Sequence, residues 1–306
     1  MFTVRVPATI ANLGPGFDSF GMAVCLYNRF SFQHAAQDAL IISSDSSADT
    51  ASLQQESSQA SAGSGLLFRA MDVLYAKANQ PRPAFQVTVQ ADIPVARGLG
   101  SSSTAVVAGL VAANQILKEP FQSLTLLEMA VAMEGHPDNV APALLGGVVL
   151  YDDRPYPLPW PDEWRVMTVS PDYPVMTEAA RRILPASVSM EDSIFNLRKA
   201  STLTYALLRE DPDALRASLH DRLHQPYRRK LIAEYEAIER LVMDDGAFGM
   251  IISGSGSTMA IFYPTVLHAF LLEKLEHLVR AKGWSVEIND VSVDTEGAQL
   301  LYSEPL

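Results

Sequence analysis

A glycine- and serine-rich run between a strand pattern and a helix pattern sets the tightest limit on what this chain can build. Phe85, Val87 and Val89 alternate with polar residues up to Ala91, which is the period of a half-buried strand. Pro94-Val95-Ala96-Arg97-Gly98-Leu99-Gly100-Ser101-Ser102-Ser103-Thr104 follows, and a helix of small side chains runs from about residue 102 to 117. Glycine lets a backbone turn tightly and approach a ligand closely. The first amides of a helix lack intrahelical acceptors and lie at the positive end of its dipole. Strand, glycine turn and helix start together make a cradle for an anion such as phosphate. The serine hydroxyls can add hydrogen bonds or a magnesium ligand. Taken alone, the run also reads as an ordinary helix start after a turn.

The rest of the chain narrows the choice. No G-x-x-x-x-G-K-[ST], no H-R-D catalytic loop with D-F-G, and no complete G-x-G-x-x-G after a strand occurs. P-loop ATPases, protein kinases and dinucleotide dehydrogenases are therefore disfavoured. Lys+Arg is 23 against Asp+Glu 35, a net charge of −12, the reverse of a nucleic-acid binder. The most apolar stretch, Thr104 to Ala113, is half the length a membrane span needs. Neither nucleic acid nor membrane is expected as a partner. The start MFTVRVPATIANL shows no signal-peptide pattern, and the lone Cys25 cannot form an internal disulfide. A reducing, cytoplasmic setting is expected, with Cys25 a buried small residue.

The 306 residues suggest two domains. Strand patterns cover 2–7, 26–32, 40–42, 85–91, 146–151, 164–170, 248–253, 258–263 and 284–293. Helix patterns cover 65–78, 102–117, 177–184, 191–209, 212–222, 227–243 and 264–282. Thr125-Leu-Leu-Glu128 matches a capping box, so a further helix is expected to start there. The Ser-, Ala- and Gln-rich residues 43–64 read as an exposed loop. Elements alternate in both halves, which predicts an α+β protein with two sheets. The Pro-rich run Arg154 to Pro161 is the expected boundary, giving domains 1–155 and 156–306.

Three ordered segments carry a resemblance. Pro94-x-x-x-Gly-Leu-Gly-Ser-Ser resembles the phosphate motif of the GHMP kinases. Val6-Pro-Ala-Thr-x-Ala-Asn12-Leu-Gly-x-Gly-Phe-Asp18 resembles their first motif, and Ser253-Gly-Ser-Gly-Ser-Thr258 their third. Within that superfamily, Glu134-Gly-His136-Pro-Asp-Asn139, Thr177-x-x-x-Arg181 and Gln225-Pro-Tyr-Arg228 are similar to the homoserine kinase branch. The resemblance implies the GHMP kinase fold: an N-terminal domain like ribosomal protein S5 domain 2 and a ferredoxin-like C-terminal domain, with ATP and substrate between them. It implies ATP-dependent phosphorylation of L-homoserine, with Mg2+, and a possible homodimer.

The site follows residue by residue from that resemblance. Residues 94–104 would hold ATP. Asn12, Asp18, His136, Asn139, Thr177, Arg181 and Arg228 would hold the amino acid. The two arginines suit its carboxylate and Asp18 its ammonium, and Asn139 would aim the hydroxyl in place of a carboxylate base. Ser102 and Glu128 match the magnesium positions, with Glu134 the second candidate. Asp138 and Thr177 read as helix caps, Thr177 with possible substrate contact; Glu128 also reads as the capping-box glutamate. Three departures stand out. Gly65 replaces an asparagine near the expected adenine pocket, Ser103 and Thr104 replace alanines, and the third motif lacks its common proline. Another alcohol substrate, of the mevalonate or sugar type, and a non-catalytic binding protein remain open.

Overall fold

The computed structural model describes residues 1–43 and 65–302. Apart from Ser43, the segment expected to be an exposed loop lies outside the described residues. Among them β1 (Phe2–Ala11) and β2 (Phe20–His34) pair antiparallel and form the spine of the molecule. β3 (Ala39–Ser43) runs parallel to β4 (Phe85–Ala91), which pairs with the later half of β2. β5 (Val148–Tyr151) pairs with the start of β2, and β6 (Pro155–Leu158) with β5. The final strand, β11 (Gln299–Tyr302), pairs with β1 and completes seven strands.

Four helices cover this sheet: α1 (residues 65–77), α2 (Ser101–Ile116), α3 (Ser123–Glu134) and α4 (Pro137–Leu145). Leu67, Leu74, Phe32, Val87, Val106, Leu110 and Val140 form the core between them. α3 starts at Ser123 with Gln122 as its N-cap and no side-chain cap, so the expected capping box is not formed. Thr125 already lies inside the first turn, where its hydroxyl cannot cap.

The Pro-rich run expected as the boundary is itself structured. It forms β6, an edge strand, where residues without an N–H are tolerated. A cut at 155/156 falls inside the β5–β6 hairpin, and β11 returns to the first sheet from the far end of the chain.

The second sheet joins β7 (Trp164–Pro171), β8 (Gly249–Ile252), β9 (Met259–Pro264) and β10 (Val286–Val291) in the order β10-β7-β9-β8. All its pairs are antiparallel. The order is fourth, first, third, second, with helices after the first and third strands, which is the ferredoxin-like arrangement. α9 (Tyr235–Asp244) and α10 (His268–Lys282) bury Ile238, Val242, Leu271 and Leu275 with this sheet. α5 (Thr177–Arg182), α6 (Met190–Arg209), α7 (Pro212–Ser218) and α8 (Gln225–Arg228) lie between β7 and α9. The single helix expected over 227–243 is broken, because Ile232 is extended and buried.

A third core joins the halves: Ala8, Ile10, Leu13 and Phe20 from β1–β2 meet Phe248, Ile251 and Phe262 from the second sheet. The pairing of β1 with β2 shifts register between Pro7 and Ala8. Before the shift Val4 and Val6 enter the first core; after it Ala8 and Ile10 enter the shared one. That switch carries the β1–β2 loop, residues 12–19, to the seam between the sheets.

Candidate functional site

Four loops and helix starts meet at the seam around a cavity of about 310 Å³. The first wall is the glycine-serine loop. Gly98 and Gly100 have φ of +86° and +70°, in the left-handed region. A Cβ on Gly98 would lie 2.2 Å from the Ser253 carbonyl, and one on Gly100 would lie 2.0 Å from Thr9 Oγ1. Both positions therefore need glycine for φ and for close approach. Gly100 is the N-cap of α2, with no side-chain cap and no acidic residue in the first turn. The opening amides of a 16-residue helix thus face the cavity without a protein anion to satisfy them.

The loop is pinned from the second sheet. Ser253 Oγ donates to the Gly98 carbonyl at 2.6 Å, and the Thr258 amide to the Arg97 carbonyl at 3.0 Å. The third motif therefore packs on the phosphate loop without the common proline. Arg97 pairs with Asp172, outside the cavity lining. Thr104 is fully buried and donates to the Ser101 carbonyl at 2.7 Å, so this departure satisfies its own hydroxyl. Pro94, Val95, Arg97 and Thr104 do not line the cavity, whereas Ala96, Gly98, Leu99, Gly100, Ser101, Ser102 and Ser103 do.

Ser102 and Ser103 donate to the two carboxylate oxygens of Glu134 at 3.2 and 3.1 Å. Glu134 lines the cavity; Glu128 does not. Six helical residues separate them, a rotation of roughly 240° beyond one full turn, so they face different ways. Glu128 is exposed and its charge lies near Tyr151 instead. The second candidate, Glu134, is thus the carboxylate beside Ser102. Two hydroxyls and one carboxylate fit a hard cation that also takes phosphate and water oxygens. Among the described residues no cluster of three His, Cys, Asp or Glu side chains could hold a metal on protein ligands alone.

The second wall is the start of α4. His136 is its N-cap and does not cap by side chain; Nδ1 lies 2.9 Å from Asp138 Oδ1. The Asp138 carboxylate raises the His136 pKa above the ordinary 6.5, against the opposing effect of burial. Asp138, expected as a cap, instead holds His136 and takes a 3.4 Å contact from Asn139 Nδ2. Thr9 Oγ1 donates to Asn139 Oδ1 at 2.7 Å. Asn139 therefore offers the cavity its N–H side. Thr9 was visible within the first motif, but nothing in its spacing pointed to Asn139.

The third wall is the β1–β2 loop. Asn12 Oδ1 accepts from the Asp18 amide at 3.1 Å, and Asn12 Nδ2 donates to the Gly254 carbonyl at 3.3 Å. Asn12 lines the cavity, but its side chain is engaged in shaping the loop. It turns the Asp18 carboxylate toward Arg181, whose guanidinium forks it at 2.9 and 3.1 Å.

The last wall comes from α5 and α8. Thr177 is the first residue of α5, with Met176 as N-cap, so its hydroxyl does not cap the helix and lines the cavity. Arg228 is 3% exposed and, among the described residues, has no carboxylate within ion-pair distance; the nearby Asp18 pairs with Arg181 instead. Its donors reach the Gly254 carbonyl at 2.8 Å and, at 3.4 Å each, the Ala180 carbonyl and His224 Nδ1. Burial, and then the Arg181 charge, push its pKa down to about 10. Asp18, Asp138 and Asp221 oppose that shift from a distance, but a buried cation with no carboxylate in contact is costly, and an anion entering the cavity relieves that cost. Cys25 is exposed rather than buried, and Gly65 is an exposed residue with open space around it. No helix among the described residues is long and apolar enough to cross a membrane.

Comparison with known proteins follows the same outline. The family model for the GHMP kinases N terminal domain matches residues 65–147, and that for the GHMP kinases C terminal matches 203–276. A homoserine kinase of Microchaete diplosiphon is 38% identical, covering 98% of this chain and 97% of its own. One from a Synechococcus strain is 40% identical over 97% of each. The crystal structure of homoserine kinase from Cytophaga hutchinsonii matches with a TM-score of 0.82 at 25% identity, covering 98% of this chain and 97% of that one. A kinase motif, a GHMP core and near-complete alignment with these enzymes converge: the chain belongs to the homoserine kinases of the GHMP kinase family.

Proposed function

We propose that the protein transfers the γ-phosphoryl group of ATP to the side-chain hydroxyl of L-homoserine, giving O-phospho-L-homoserine for threonine synthesis. The observation that carries this is Arg228: a buried guanidinium lining the cavity, in contact with no carboxylate among the described residues, beside an Asp18–Arg181 pair. A zwitterionic amino acid complements that arrangement. Its carboxylate takes Arg228 and one face of Arg181, while its ammonium takes Asp18. The Asp18–Arg181 pair is about a third exposed on each side, so opening it costs roughly 0–1 kcal/mol.

Asn139 Nδ2 donates to the hydroxyl oxygen and aims a lone pair at phosphorus. The ATP phosphates lie on the α2 amides and residues 98–103. Glu134, Ser102 and Ser103 would hold magnesium, which would neutralise charge on those phosphates. The oxygen–phosphorus bond forms as the bond to ADP breaks. The hydroxyl proton leaves late, to a phosphate oxygen or to solvent. Asp138 is assigned to holding His136 and Asn139 through its Oδ1 rather than to taking the proton. Positioning and charge stabilisation therefore provide the catalysis.

The test is a coupled ADP-release assay with homoserine, serine, threonine and mevalonate. Homoserine should be preferred by about a hundredfold or more in kcat/KM. ADP release with mevalonate alone would refute the reading.

The same proposal includes a homodimer. Met190, Ile194, Leu197, Tyr205 and Leu208 are exposed on α6, and their spacing gathers them into one stripe along 20 residues. We assign this stripe to contact with a second copy of the chain.

A further inference from the structure

We propose that His224, which touches neither reacting group, is a positioning residue that locks the carboxylate-binding Arg228 to the ammonium-binding β1–β2 loop, so that both ends of the substrate are gripped at a fixed separation. The assignment rests on the function proposed above and deepens it.

The geometry is closed on every side. His224 is fully buried. Its Nε2 lies 2.8 Å from the Gly14 carbonyl, which can only accept, so the proton sits on Nε2. Burial lowers its pKa and keeps the ring neutral, and Nδ1 is then a bare acceptor for Arg228 Nη1 at 3.4 Å. One imidazole thus holds the loop through one nitrogen and the guanidinium through the other.

The ring's other contacts reinforce this. Phe17, next to Asp18, stacks on His224 with centroids 5.1 Å apart. The guanidiniums of Arg228 and Arg181 lie over the Phe17 ring at 5.3 and 5.7 Å. Asp221 fixes the backbone beneath, accepting from the amides of Leu223, His224 and Gln225 at 2.7–2.9 Å. Asn196 ties Asp221 to the Pro15 carbonyl, again in the β1–β2 loop. The direct links, through His224 and Phe17, join the loop that carries Asp18 to the helix that carries Arg228, and Asn196 on α6 braces them through Asp221.

The test is steady-state kinetics on three full-length variants. His224→Asn retains an acceptor near Nδ1 and loses the bond to Gly14. His224→Gln retains a donor near Nε2 and loses the bond to Arg228. Phe17→Leu removes the aromatic contact from a half-buried loop position and serves if the histidine variants do not fold. The expected result is a KM for homoserine raised about tenfold or more, with kcat and KM for ATP changed less than about threefold. KM for homoserine within about twofold of wild type in the folded variants would overturn the assignment, as would a parallel loss in kcat and both KM values. A wild-type enzyme inert toward homoserine would instead overturn the functional reading, and this assignment with it.

Discussion

Glu134 and Glu128 sit on one short helix, and only Glu134 turns into the cavity. Glu134→Ala should lower kcat by about a hundredfold and raise the magnesium concentration needed for half-maximal rate. Glu128→Ala should stay within about twofold of wild type; a magnesium titration of both variants checks the contrast. The role proposed for Asn139 is geometric, aiming the hydroxyl rather than taking its proton. Asn139→Ala should cut the single-turnover rate by about a hundredfold, whereas Asn139→Asp, which keeps the length and the bond from Thr9, should retain more. An unaffected alanine variant would remove the aiming role. His136 gives a signed pH effect. Its pKa is raised in the folded protein by Asp138, so the pair's contribution to stability is fully present below the ordinary 6.5. That contribution is lost as pH climbs through the raised value. Melting temperatures across neutral pH should show this fall in the wild type, and His136→Asn should flatten it.

Elements carry the larger-scale behaviour. The exposed stripe on α6 predicts that Leu197→Glu weakens dimerisation about tenfold or more without altering the melting of the monomer. Light scattering over a dilution series measures it, and an unchanged dimer would move the interface elsewhere. The same helices and strands show what a sequence can reveal. The helix pattern over 191–209 lies within one residue of α6, whose ends the fold fixes: Ser189 accepts from the Asp192 amide and Glu210 is left-handed at the C-cap. β1 was legible only to residue 7, because beyond the register shift Ala8 to Ala11 are buried on both faces and the period of two disappears. β6 was read as a domain boundary because its prolines mask an edge strand. β11 gave no signal, since its pairing with β1 depends on a partner almost 300 residues away.

Across the whole molecule, the site is a meeting of distant segments. Asp18 and Arg181, 163 positions apart in the chain, form a fork, and Thr9 reaches Asn139 across 130. The phosphate loop was legible as chemistry because its function lies in local backbone geometry. The amino-acid end was legible only through resemblance, since an arginine on a short helix looks the same whether it faces water or a cavity. What distinguishes Arg228 is burial with no carboxylate in contact among the described residues, which only the fold reveals. The central claim is therefore that this guanidinium binds the substrate's carboxylate. The direct measurement is a cycle of kcat/KM values for wild type and Arg228→Met, each with L-homoserine and with 2-amino-1,4-butanediol, which lacks the carboxylate. Arg228→Met should cost about a hundredfold or more on homoserine and almost nothing on the diol. An equal loss on both substrates would contradict the account.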